Sequence, residues 1–353
     1  MPYCRKRGAK LDEDARFCPA CGTPVATVAA ATKPTAPKRR RPFYILPVAI
    51  LIAVLVSTVV VGALFFLPFY PVHFNQTNQV PKAAVDNLLL EFQADVAQVN
   101  IFFENLPSNM AMLNVTADGN VGILDDPNRA VNVTFSHQTT NNSAVVLASV
   151  SRTTRWPISY NLNVNCDIHI DPSVSLTLHV RSSVGNIVMD ANTNMTLQIL
   201  DLETTTGSID VSLSKGVVVA DVITLHTTTG SVQFQMDKAD VLGNGTVNLQ
   251  SATGSVNVDL TATQRLSGNV TVNARTTTGS VNLSMVIDGD VGARIESDSG
   301  VGGIAVDVQR FSGNKSPLQS DNYPAGNNFL VNLRTTTGGI NINAAYGSST
   351  ILN

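Results

Sequence analysis

At 353 residues the chain has room for two or three domains. Only 14% of residues are charged and 6% aromatic, and Val, Ile and Thr are abundant, which excludes an extended disordered chain and favours strands. The net charge of −3 conceals an asymmetry: ten of the 23 basic residues but only three of the 26 acidic ones precede Pro42, so a basic head is joined to an acidic body.

The head, residues 1–25, reads MPYCRKRGAKLDEDARFCPACGTPV. Cys4 begins one knuckle, and Cys18-Pro19-Ala20-Cys21-Gly22 forms a second. With Leu11 and Phe17 in their expected places, this layout resembles the short zinc ribbons that open many prokaryotic membrane proteins. The resemblance implies one zinc ion held by Cys4, Cys18 and Cys21. Arg7 stands where the first knuckle of such ribbons carries its second cysteine. Structural zinc takes four ligands, and the first histidine in the chain is His73, so the fourth ligand is open. A carboxylate of Asp12, Glu13 or Asp14, a water, or a second chain are the alternatives, and a metal-free remnant is the rival reading.

Residues 26–42 are rich in Ala, Thr, Pro and basic side chains, the composition of a flexible tether. The tether ends in Lys38-Arg39-Arg40-Arg41. Then follows an uncharged apolar run, Ile45 to Leu67, within a segment spanning 43–70. About 20 helical residues cross a bilayer core of roughly 30 Å. Phe43, Tyr44, Phe69 and Tyr70 are placed as interfacial anchors. The basic cluster before the run, with nothing comparable after it until Lys82, predicts a single-pass protein of the cell membrane. Its N-terminus is expected in the cytoplasm and its body, 71–353, outside. A cleaved signal peptide would have a shorter apolar core placed nearer the N-terminus.

Beyond Tyr70 a short unit recurs. TTTGSIDVSL begins at Thr204, TTTGSVQFQM at Thr227, SATGSVNVDL at Ser251, TTTGSVNLSM at Thr276 and TTTGGININA at Thr335. Weaker copies start at Arg181 and Ser299. In each, an alternating strand enters a small-residue corner and another leaves it. Apolar residues at every second position predict an inward face. It includes Ile209, Val211 and Leu213; Val232, Phe234 and Met236; and Ile304, Val306 and Val308. Cys166 falls on the same alternation and reads as core. One unit cannot bury its apolar side alone, whereas stacked units can. The corner glycine is expected to adopt a conformation that a β-carbon opposes, and the threonines to exchange hydrogen bonds with one another between coils. The expected fold is all-β, a β-solenoid, with a β-sandwich or open roll as the alternative. Residues 85–165 are expected to cap its lower end, and the stretch after Phe311 to form a surface loop.

These corners resemble the adhesin family of uncharacterised domains, whose members repeat T-x-x-G-x-I/V-x-V units in a β-solenoid. The resemblance covers roughly residues 85–350 and implies surface interaction in an archaeal or bacterial envelope, with no catalytic residues to carry over. The five histidines join no nucleophile motif, and the sequence contains no phosphate loop or HExxH. The expectation is a non-enzymatic surface protein. Its partners would be the lipid bilayer and envelope glycan, envelope protein or its own copies, without nucleic acid. The alternatives are a transmembrane envelope sensor acting through the ribbon, and a polysaccharide-active enzyme built from aspartates such as Asp201, Asp210, Asp221, Asp259 and Asp307.

Overall fold

The computed structural model describes residues 3–4, 6–12, 15–24, 45–65, 70–122, 125–153, 161–262 and 266–347. The tether 26–42, the anchors Phe43, Tyr44 and Phe69, and the candidate ligands Glu13 and Asp14 lie outside them. The chain divides into two units, Met1–Phe66 and Leu67–Asn353.

In the first unit, isolated bridges Tyr3↔Lys10 and Phe17↔Pro24 frame two knuckles. The apolar run forms α1 (Ile45–Phe65), a helix without charge. Pro47 sits in its first turn, where no intrahelical donor is lost. The hydroxyls of Ser57 and Thr58 donate to the carbonyls of Val54 and Leu55, so these polar groups are bonded within the helix. Side chains from Val48 to Val59 are exposed. Among the described residues no helix is long and apolar enough to cross a membrane. The expected transmembrane helix is thus not found among them.

The second unit is built from strands, with one short 3-10 turn at Pro127–Arg129. It opens with β1 (Tyr70–Pro81), β2 (Asn87–Val96), β3 (Gln98–Phe103), β4 (Asn109–Val121), β5 (Val131–Thr140), β6 (Ser143–Arg152), β7 (Asn163–Ile170) and β8 (Ser175–Val184). The repeats supply β9 (Ile187–Ala191), β10 (Met195–Thr206), β11 (Ile209–Leu213), β12 (Val217–Thr229), β13 (Val232–Asp237), β14 (Asp240–Val241), β15 (Gly243–Thr253), β16 (Val256–Ala262), β17 (Gly268–Thr278) and β18 (Val281–Ile287). The last are β19 (Val291–Val301), β20 (Ile304–Gln309), β21 (Phe311–Ser312), β22 (Leu318–Ser320), β23 (Asn327–Thr337) and β24 (Ile340–Tyr346).

These strands make two large sheets. The first has 11 strands in the order β1-β4-β7-β3-β9-β11-β13-β16-β18-β24-β20. The second has 13, ordered β21-β22-β19-β23-β17-β15-β12-β10-β8-β2-β6-β5 with β14 beside β12. Each repeat gives a long strand to the second sheet and, after its glycine corner, a short strand to the first. Two strands per repeat supply two walls, so the expected solenoid appears as two sheets rather than as a closed coil. Like positions align through the stack: Ile209, Val232, Val256, Val281 and Ile340 form one parallel column. The inward residues of both sheets merge into one hydrophobic cluster, with Phe234 and Phe329 among its largest buried side chains. Cys166 is buried in it, and burial pushes its thiol up to about 12.

The corners depart from expectation in one respect. Thr204, Thr227, Ser251, Thr276 and Thr335 do not bond to one another; each donates its hydroxyl to the carbonyl of the corner glycine in the adjacent coil. These side chains are buried, and the glycine carbonyl is the acceptor within reach. The corner glycines have φ near +145°, and a β-carbon on Gly230 would lie 1.9 Å from the carbonyl oxygen of Gly207.

Stacking order also departs from sequence order at the C-terminal end. The last pair, β23 and β24, lies between the β17/β18 coil and the β19/β20 coil. The segment after Phe311 is more than a surface loop: β21 and β22 pair antiparallel, β22 pairs with β19, and Leu318 is buried. At the other end, β4 and β1 add antiparallel to the first sheet and β5 to the second; β1, the outermost strand of the first sheet, precedes the region 85–165 expected as the cap.

Candidate functional sites

In the head the two knuckles repeat one geometry. The N–H of Gly8 donates to the Cys4 carbonyl at 2.8 Å, and the N–H of Gly22 donates to the Cys18 carbonyl at 2.8 Å. Both glycines have positive φ, at 63° and 67°. Cys4 thus corresponds to Cys18, and exposed Arg7 to Cys21. The sulfurs of Cys4, Cys18 and Cys21 lie within 4.8 Å of one another, with Cys4 and Cys21 3.6 Å apart. Two thiolates on a tetrahedral zinc at about 2.3 Å would be roughly 3.8 Å apart, so the donor set fits zinc. The sulfur of Cys21 lies 3.2 Å from the Thr23 hydroxyl. Hydrogen bonds from the Thr23 side chain and backbone lower its thiol pKa to about 7, which favours the thiolate a metal requires.

On the β-body, the outward face of the first sheet carries a polar groove of about 530 Å³ near its C-terminal end. Its floor is a ladder: the Asn282 amide donates to Asn257 at 2.7 Å, and the Asn341 amide donates to Asn282 at 2.7 Å. A second row holds Asp259, Ser284, Asn343 and Asp307 on successive strands. Burial pushes the Asp259 carboxyl up, against a hydrogen bond with Ser284. Asp259 and Asp307 stand three strand steps apart, roughly 14 Å. Paired glycosidase carboxylates lie no more than about 9.5 Å apart. Sequence reasoning missed this groove. Its one signal was the asparagine after the first outgoing valine or isoleucine in SVNV, SVNL and GINI.

The second sheet carries a matching ladder, Asn248–Asn273–Asn332, with contacts of 2.9 Å. Nearer its other end lies an ionic patch. His179 is 3.4 Å from Asp201, Arg181 is 3.2 Å from Glu203, and His226 is 3.7 Å from Glu203. The patch takes in Asp201, whereas Asp210, Asp259 and Asp307 are on the first sheet, so these four aspartates do not converge. Asp221 is exposed on β12. A buried carboxylate stands apart from the grooves above: Asp171, 2% exposed, accepts from the partly exposed Lys82 at 2.8 Å and from the N–H groups of Leu106 and Ser173 at 3.0 Å each.

Residues 3–25 match the zinc-ribbon domain family. The head is similar to a zinc ribbon. No curated protein matches the sequence. Among the solved structures similar to the chain are the following three. A candidate cell adhesion protein from Clostridium sporogenes ATCC 15579 has 12% identity and a TM-score of 0.41, covering 78% of this chain and 100% of its own. A candidate adhesin from Bacteroides fragilis NCTC 9343 has 9% identity and a TM-score of 0.29, covering 76% and 97%. A candidate adhesin from Parabacteroides distasonis ATCC 8503 has 10% identity and a TM-score of 0.20, covering 77% and 96%.

Proposed function

We propose that this chain is a single-pass, membrane-anchored surface protein whose β-body, a two-walled β-solenoid, binds hydroxyl-rich envelope glycan without chemistry upon it. The carrying observation is the asparagine-floored groove of the first sheet. Its amides are held in line by their neighbours, and each carboxamide presents both a donor and an acceptor, the complement that sugar hydroxyls require. Ordering on binding is small because the floor is already fixed. The uncharged run of α1 with its basic flank supports the anchor and a cytoplasmic head. The clustering of the three cysteine sulfurs supports one zinc ion in that head.

Binding of the full-length chain in detergent to arrayed envelope polysaccharides tests the reading. The double variant Asn343→Ala, Asp307→Ala should lose most of that binding while its thermal transition is kept. Equal binding by wild type and variant, or none by either, overturns it. For the topology, protease added to intact cells should digest the part after Tyr70 and spare the head.

A further inference from the structure

The two ends of the stack finish differently. At one end both sheets finish in antiparallel strands, β1 beside β4 and β5 beside β6. At the other the second sheet is covered by β22 and β21, but the first sheet stops at β20, a strand in parallel pairing with β24.

The backbone of β20 fixes what is left unpaired. The N–H of Ile340 donates to the Gly303 carbonyl, and Ile304 stands opposite Ile340. Residues 303, 305 and 307 therefore bond toward β24, and the N–H and C=O groups of Ile304, Val306 and Val308 point away from it. No strand among the described residues receives them. The inward side chains of the same three residues are only half buried, whereas Ile340 and Ile342 beneath them are fully buried. Both the ladder and the core are one strand short.

We infer that β20 is the site at which a second copy of this chain joins, β20 against β20 antiparallel across a two-fold axis. A two-fold pairing closes on itself, whereas joining β20 to the far edge strand β1 of the next copy would leave an open filament, and Pro71 and Pro81 blunt that edge. Register follows from parity and charge. Centred on Val306, the pairing sets Ile304 opposite Val308 and Val306 opposite itself, so every outward-directed backbone group is satisfied. Asp307 then faces Ala305, whereas a centre one residue later would oppose two Asp307 carboxylates. The apolar edge of one core continues into the other.

The inference names a partner for the binding scaffold proposed above and rests on that reading only for its biological setting. Hydrogen exchange of the full-length chain in detergent, followed at rising protein concentration, tests it. The amides of Ile304, Val306 and Val308 should slow by about tenfold or more as the dimer forms. Val306→Pro removes only an outward N–H, so it should keep the thermal transition while halving the mass in sedimentation. Concentration-independent exchange, or a dimer that survives Val306→Pro, overturns the inference. Loss of glycan binding with the dimer intact would instead count against the reading above alone.

Discussion

The hydroxyl of Thr227 donates to the carbonyl oxygen of Gly207, one coil away, at 2.8 Å. Thr227 is fully buried, so this bond, repeated at four other corners, gives a hydroxyl that water does not reach its partner. Thr227→Val keeps the shape and removes the bond. A loss of about 0.5–1.5 kcal/mol in chemical denaturation is expected. Thr228→Val, at an exposed neighbour, should change stability by less than about 0.5 kcal/mol.

Gly230 has a stricter requirement. Its φ is +144°, and an added β-carbon would sit 1.9 Å from the Gly207 oxygen, a backbone atom that cannot move aside alone. Gly230→Ala should cost about 3 kcal/mol or more, measured as a lowered denaturant midpoint. Gly243→Ala is the comparison: its φ is also positive, but nothing lies within 4 Å, so only the backbone strain of about 1 kcal/mol remains.

Arg7 occupies the place in the first knuckle that Cys21 occupies in the second. Arg7→Cys should complete a four-thiolate shell and tighten zinc binding by tenfold or more, read by competition with a chromogenic chelator. Cys18→Ser should abolish high-affinity binding. Unchanged affinity in Arg7→Cys would mean that the knuckle does not bring residue 7 to the metal.

Asp171 is held ionised inside the β-body. Burial alone would raise its pKa, but hydrogen bonds from Lys82, Ser173 and Leu106 outweigh burial and bring it to about 2. A folded pKa below the unfolded value of about 3.9 means that the stabilisation is present above roughly pH 4 and is lost as pH falls toward 2. With the Lys82 ammonium partly exposed, its size is on the order of 1–2 kcal/mol. Asp171→Asn should lower stability at neutral pH and flatten the acid limb of the stability–pH curve. A parallel acid limb in the variant would assign that limb to other carboxyls.

The corners were legible because only glycine suits their backbone and only alternation buries one face, so Ile209, Val232 and Val256 fall where the sequence places them. The cysteine cluster was legible for a similar reason, a fixed ligand spacing. Stacking order was not legible. Inward sets of Val, Ile and Leu are interchangeable between coils, and the place of β24 depends on contacts such as Asn341 to Asn282, 59 residues apart. The half-buried state of Ile304, Val306 and Val308 follows from that order, since the same pattern in the middle of the stack would be fully covered. The groove was invisible because it arises from the stacking order of five neighbouring strands rather than from any local motif.

The strand that ends the described chain, β24, is gripped on both flanks by partners made earlier in the sequence. A force pulling on β24 therefore finds no loose outermost rung to peel. It must shear an interior strand from two neighbours at once, a rupture in which many backbone bonds load together rather than one after another.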